Sequence, residues 1–520
     1  MADAQENQNQ KKLLLNRVDM IVGAVFLTLI TITGVAMFSL DSSSYLYGDV
    51  THSEEIVRDS GSLEVVYDQS LETYDPTASG VVTRGYLANV YEGLVRFDQD
   101  FNVEPALALS WGMLDDTTWQ FKLRPDVKFH DGSDLEPEDV KESIERAQTD
   151  SDSQIQDLVK QVKKVEIIDD LILQIETKRP DPTLLNKLAL LPVVPADLKS
   201  PVVSPIGTGP YVFLREVGDS EWEFERFSDY WGDLPSFPEL SIKWITDKLE
   251  RYESLVSGEV DVLGQVPPIF VGPLLEQGYM VASLPSLEVH FFMFDSEGDD
   301  SPFRHKEVRE AVASALDLET LTSMASEFAE PATQFVSRGV FGYNSDLDSF
   351  EFDASYAREQ LRSTGKNEWE VTLDLPEGLE GLGDYVVEQL DEIGIEVLVN
   401  TWSAEDYENL IRSGDSDFYF LAWRSDAGDS TDFFTNIVHS EGDLNGGGFA
   451  DEGVDQLIEA MEQNVFETTR LEQLQQLMEL VTKEWIIGVP LFETDSLIGV
   501  SPDLDWEPRM DNLILANDFS

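Results

Sequence analysis

The sequence predicts an α/β protein of more than one domain, preceded by one apolar N-terminal span. Three observations carry this. Residues 369–423 read as two βα units followed by a third strand, residues 20–40 contain no charge, and 520 residues exceed what one hydrophobic core holds.

Within the first of these stretches, Trp369, Val371 and Leu373 alternate as a strand. Val386, Leu390 and Ile393 follow at helical spacing and stop at Gly394. Ile395, Val397 and Val399 alternate again, and Tyr407, Leu410 and Ile411 form a short helical face ending at Gly414. Residues 418–423, FYFLAW, have the character of a fully buried strand and are expected to run parallel to the other two. The run then breaks into a polar loop with Arg424, Asp426, Asp429 and Asp432. Open parallel sheets bind ligands just beyond the carboxyl ends of their strands. Trp423 and Asp426 are therefore candidate ligand residues, because an indole face beside a carboxylate suits a cationic or amphipathic small molecule. The local pattern equally permits a solvated acidic loop.

Composition narrows the chemistry. Cysteine is absent, which excludes disulfides, thiolate metal sites, a cysteine nucleophile and lipid-modified cysteine. The five histidines (His52, His130, His290, His305, His439) show no ligand spacing, so no metal site and no cofactor are expected. Asp and Glu number 101 against 35 Lys and Arg, for a net charge of −66. That is roughly one net negative charge per eight residues, spread along the whole chain. Such a charge argues against nucleic acid as a partner, since phosphates are held by Lys and Arg. It also makes adjacent carboxylates common by chance, so no acidic pair alone argues for acid–base catalysis.

Taken in order, residues 1–18 read as a cytoplasmic tail ending in Lys11, Lys12 and Arg17, and 19–40 as a transmembrane anchor of about the ~20 residues a bilayer requires. Positive charge before the span and Asp41, Asp49, Glu54 and Glu55 after it place the bulk of the chain outside the cell. Cleavage after Ala36 is the alternative to a retained anchor. A polar tether covers 41–60. A strand at 62–67 opens the soluble region, and 86–94 reads as a helix. Trp119, Phe121 and Leu123 alternate as a strand, 136–147 is a helix with Val140, Ile144 and Ala147 on one side, and 165–167 pairs with 171–175 around Asp169-Asp170. Gly207-Thr208-Gly209-Pro210 demands a tight turn. Val308, Ala311, Val312, Ala315 and Leu316 form one buried helical stripe, with Arg309 off it and expected to pair with a carboxylate. Leu474, Leu477, Met478, Val481 and Trp485 mark a long amphipathic helix behind a capping box at Thr469 and Glu472.

Several of these segments carry a resemblance. TWQFKLRPDVKFHDGSDLEPEDVKESIERA (118–147) resembles a signature of the family 5 extracellular solute-binding proteins of ABC importers, the oligopeptide, dipeptide and nickel-binding group. YDPTAS (74–79), NVYEGLVRFD (89–98), PIGTGPYVF (205–213), FSDYWGD (227–233), SGEVDVL (257–263), SPFRHKEVREAVASALD (301–317) and GVPLF (488–492) follow in the family's order.

The resemblance implies a two-lobed, periplasmic-binding-protein-like fold of the large type II form, with an extra subdomain. Lobe I would comprise 61–288 and 490–520 with a subdomain inserted at about 79–200, and lobe II 289–489. Hinge closure around a solute is the implied motion. In peptide-binding members a Trp-x-x-Asp in lobe II sets an aspartate against the peptide ammonium, and Trp423 and Asp426 have that spacing. Ser430 stands where proline is usual. Arg424 is a candidate for a ligand carboxylate, and Tyr74, Tyr91 and Glu92 for contacts from lobe I.

The implied function is that of a membrane-tethered, monomeric receptor delivering a small solute, foremost peptides, to ABC permease subunits. A sugar oligomer is the alternative ligand, and a sensor or envelope scaffold the alternative class. An extracellular hydrolase is disfavoured: the chain has no GxSxG, no HExxH and no cysteine. Self-repulsion at a charge of −66 should weaken the fold in dilute buffer, and the ~3 Å screening length of 1 M salt relieves it. A protein adapted to a saline medium is expected. Its thermal midpoint, followed by circular dichroism, should rise between 0.2 and 2 M KCl, each kcal/mol recovered adding about 2–4 °C; a midpoint that stays level or falls would refute the expectation.

Overall fold

The computed structural model describes residues 61–520 except 72, 78–80, 151–152, 299 and 367. The expected tail (1–18), anchor (19–40) and tether (41–60) lie outside the described residues. Among the described residues, no helix is long and apolar enough to cross a membrane.

The described chain divides into two compact units, Pro285–Thr494 on the one hand and 61–284 with Asp495–Ser520 on the other. It passes between them twice, within the strands Met280–Phe294 and Gly488–Val500.

In the 285–494 unit the strand order is Ile395–Trp402, Trp369–Pro376, Phe418–Arg424, Met280–Phe294, Gly488–Val500. Trp369–Pro376 is parallel to both Ile395–Trp402 and Phe418–Arg424, as the βαβαβ pattern requires. Phe418–Arg424 then pairs antiparallel with residues 288–294, which converts an open parallel unit into a mixed sheet. The crossover helix Ala404–Ser413 starts at Ser403, whose hydroxyl accepts the Asp406 N–H, and stops at Gly414 in the left-handed region at φ 69. Its buried Tyr407 hydroxyl lies 2.7 Å from the Phe420 carbonyl and accepts the Phe420 N–H at 3.0 Å, tying helix to strand. Phe433 stacks on Phe335, and both meet Phe291 edge-on, filling one face of the sheet.

In the other unit, Ser62–Tyr67 runs parallel to Glu239–Trp244 and to Val262–Leu263. Glu221–Arg226 and Tyr211–Val217 extend this sheet antiparallel. A separate four-stranded antiparallel sheet is ordered Ala108–Asp115, Thr118–Leu123, Ile172–Thr177, Val162–Asp169. The helix Pro137–Thr149 shares one core with it through Val140, Ile144 and Ala147 against Phe121, Leu173 and Ile175.

Three expectations about local structure are corrected. The helix expected at 86–94 runs over Val81–Leu87 instead. Asn89 ends it: its buried amide donates to the Ile514 carbonyl and its oxygen accepts the Ala516 N–H, which turns the chain away from the helix axis. The helix Glu467–Glu479 begins ahead of the capping box foreseen at Thr469 and Glu472, with Phe466 at the N-cap and no side-chain cap. Buried Arg470 in its first turn donates to Asp429, and that anchor sets where the helix starts. Arg309 is buried and donates to the carbonyls of Trp485 and Phe303 rather than to a carboxylate.

The glycine turn at 207–210 is a close-packing requirement. A Cβ on Gly207 would meet the Val90 carbonyl oxygen at 2.0 Å, and one on Gly209 would meet the Asn89 oxygen at 2.7 Å. His130 locks the same turn, its Nε2 lying 2.9 Å from the Gly209 carbonyl. Gly207→Ala should therefore cost about 1–3 kcal/mol in urea unfolding. Gly112→Ala, where nothing lies within 4 Å, is the control; equal stability of the two variants would contradict this packing.

Candidate functional site

The site is built on the end of one strand. Residues 418–423 are buried and only Arg424 reaches partial exposure. In the antiparallel ladder Trp423 faces Val289, Arg424 faces Glu288 and Ala422 faces His290. Side chains alternate across a strand, so Arg424, Glu288 and His290 share one face and Trp423 points to the other.

Trp423 is buried and packs edge-on against Phe433 at 6.3 Å. Arg424 donates from Nε to Asp426 Oδ1 at 2.8 Å and from a terminal nitrogen to the Ser286 carbonyl. Asp426 keeps 27% of its side chain exposed, so it is both oriented by a guanidinium and reachable by solvent.

The two following aspartates have different work. Buried Asp429 accepts from Arg470 at 2.5 Å and from the Thr431 hydroxyl at 2.6 Å. That pair fastens the loop to the helix Glu467–Glu479. Ser430 donates its backbone N–H to the Phe341 carbonyl at 2.9 Å, and Phe341 donates to the Gly428 carbonyl at 2.8 Å. A proline at 430 would forgo the first of these bonds. Burial holds the Asp432 carboxyl well above the usual carboxylate range, and the negative charge of Asp429 adds to this.

Two further ionisable residues complete the set, and sequence reasoning did not select them. Glu288 is 7% exposed. Burial pushes its carboxyl up to about 7, with Arg424 pulling down and Asp426 pushing up. His290 is fully buried, and burial lowers its imidazole to about 3. Its Nε2 lies 3.3 Å from Glu288 Oε1, but a neutral ring makes this a contact rather than an ion pair. The ring is sandwiched at 4.6 Å from Phe492 and 5.7 Å from Phe420. The available signal was Glu288 and His290 at alternate positions inside the apolar run LEVHFFMF.

Tyr74, Tyr91 and Glu92 belong to the other unit. The Tyr74 hydroxyl donates to Glu216, and its ring stacks on Trp222 at 4.4 Å. Tyr91 is buried and donates to the Tyr74 carbonyl at 3.2 Å. Glu92 accepts three bonds, from Thr208 at 2.8 Å, Tyr230 at 3.0 Å and Trp231 at 2.8 Å. Burial raises its carboxyl, and those three donors counter the rise. A cavity of about 840 Å³ in the 285–494 unit is lined by Arg304, Lys306, Arg309, Glu479, Glu484 and Trp485 among others, and by none of the candidate residues. Among the described residues, no group of three or more His, Asp or Glu is arranged to hold a metal ion.

Comparison with known proteins agrees with this architecture. The family described as bacterial extracellular solute-binding proteins, family 5, middle region, matches residues 102–445. The glutathione-binding protein GsiB of Pectobacterium atrosepticum is 28% identical over 351 residues, 64% of this chain and 67% of that protein. The Salmonella paratyphi A protein of the same name is 28% identical over 308 residues, and the match spans only 59% of its length. Among solved structures, HbpA2 from Haemophilus parasuis superposes with a TM-score of 0.81 at 20% identity, over 88% of this chain and 99% of that one. At that identity the likeness shows a common two-lobed α/β fold and nothing finer. The length and position of the matched segment show the family: this chain belongs to the family 5 bacterial extracellular solute-binding proteins, the solute-capturing components of ABC importers.

Proposed function

We propose that this protein is a membrane-tethered extracellular receptor that captures peptides and passes them to the permease subunits of an ABC importer. The observation that carries the reading is Asp426: a half-buried carboxylate just beyond a buried strand end, 27% exposed and oriented by Arg424. A peptide α-ammonium binding there gains a charge-assisted hydrogen bond of roughly 1.5–3 kcal/mol. We assign Arg424, which donates to Asp426, to answering a ligand carboxylate. Tyr74, Tyr91 and Glu92 are the residues we assign to lobe I, with Glu92 chiefly holding the 207–210 turn. The lobes are taken as 61–288 with 490–520, including the subdomain at about 79–200, and 289–489. The charge-free run 20–40 behind Lys11, Lys12 and Arg17 supplies the tether. Relatives named for glutathione, itself a peptide with a free ammonium, support a peptide ligand.

Mass spectrometry of solute co-purified in molar salt tests the reading. Peptides should be recovered, and Asp426→Asn should weaken their binding at least ~10-fold, about 1.4 kcal/mol. N-acetylating the recovered peptide should have a similar effect. Recovery of carbohydrate alone, with Asp426→Asn binding unchanged, would reject the peptide assignment.

A further inference from the structure

Glu288 is a buried carboxyl with no structural employment comparable to its neighbours'. Asp429 holds Arg470, and Asp432 accepts the Phe433 N–H at 2.7 Å. Glu288 instead faces, across the ladder, the one guanidinium that orients Asp426. From its own strand it meets His290 at 3.3 Å, an imidazole that burial keeps neutral. From the following loop it meets the charge of Asp426. The Gly488–Val500 strand brings Phe492 against His290 and the Thr494 hydroxyl to 3.4 Å from Ser286, while Glu493 is engaged by Ser337 at 2.6 Å. Arg424 thus lies opposite Glu288 in the ladder while it donates to Asp426 and to the Ser286 carbonyl.

We propose that Glu288 is a specificity-determining residue of the cation subsite, exchanging a proton for the ligand's ammonium as Arg424 turns from Asp426 towards it. This rests on the reading that Asp426 receives the ammonium. Below about pH 7 the ligand-free site holds Glu288 protonated, with Arg424 bonded to Asp426. An arriving ammonium takes a share of Asp426. Arg424, partly released, stabilises the Glu288 carboxylate, and the Glu288 proton leaves to solvent. The site then holds two carboxylates against one guanidinium and one ligand cation, so its charge is neutralised. A ligand without a cation gives Glu288 no reason to ionise, and the subsite rejects it.

Because the binding-competent form is the one with Glu288 ionised, affinity scales with that fraction. With the carboxyl near 7, the affinity for an ammonium ligand should rise close to tenfold from pH 5 to pH 6. The ligand's own α-amino group, at about 7.7–8.0, stays charged over that interval. Calorimetric titration of the full chain with trialanine, in molar salt and in buffers of different ionisation enthalpy, measures both the slope and the proton released. The wild type should show the rise and a proton leaving, Glu288→Gln should bind no more tightly than the wild type does at pH 5 and with no pH dependence, and Glu288→Asp should restore the slope. Trialanine binding with a flat profile in the wild type, or a slope that survives in Glu288→Gln, would overturn the exchange while leaving the peptide reading intact.

If trialanine binds at no pH, the peptide reading suffers and the exchange is decided without ligand. The Arg424 Nε–H resonance, assigned with Arg424→Lys, should then move with a midpoint near 7 in the wild type and stay fixed in Glu288→Gln. An unmoved resonance in the wild type refutes the exchange.

Discussion

The antiparallel pairing of residues 418–424 with 288–294 is the constraint on which the candidate site depends. It sets Arg424 opposite Glu288, and it brings the loop that carries Asp426 to the end of a strand buried along six residues. The register is held by what each face must bury. Val289, Phe291, Leu421 and Trp423 lie on the face that meets Phe335 and Phe433, and Glu288, His290 and Arg424 lie on the other. A slip of one residue would exchange the two faces and drive Glu288 and Arg424 into the aromatic core.

In a chain with a charge of −66, acidity alone distinguishes nothing. The carboxyl groups of this loop are separated by burial and by partner. Asp429 is neutralised by Arg470 and joins the loop to a helix. Burial holds the Asp432 carboxyl well above the usual carboxylate range, and it accepts the Phe433 N–H at 2.7 Å. Asp426 alone of the three combines solvent access with a guanidinium that orients it without enclosing it. Four acidic side chains, counting Glu288, therefore differ in burial and in partner within one short stretch of sheet and loop. Desolvation acts on each according to its depth, and this is what separates chemically similar groups.

Buried polar atoms elsewhere behave as fixed scaffolding. The Glu92 carboxylate is tied by three donors to the glycine turn, and Asn89 joins a helix end to residues 514 and 516 far along the chain. These contacts explain why 207–210 tolerates no side chain at Gly207: the turn lies directly on the backbone of Val90.

Much of the fold was legible because periodicity reports burial. The strands at 62–67, 118–123 and 369–376 and the helices ending at Gly394 and Gly414 follow from alternation, helical spacing and terminal glycine, all local properties. Where a distant partner decided, local reading failed. Asn89 ended a helix for the sake of residues 514 and 516, Arg470 moved a helix start, and Arg309 turned to carbonyls. At the candidate site, strand, loop and the Trp-x-x-Asp spacing were visible, but Glu288 was not, since it lies more than 130 positions before Arg424. The amino-acid order by itself determined the elements and the family, because each rests on neighbours in the chain. Tertiary pairing alone decided how deeply each carboxylate is buried and which cation or donor it meets, because desolvation and ion pairing depend on groups that only folding brings together.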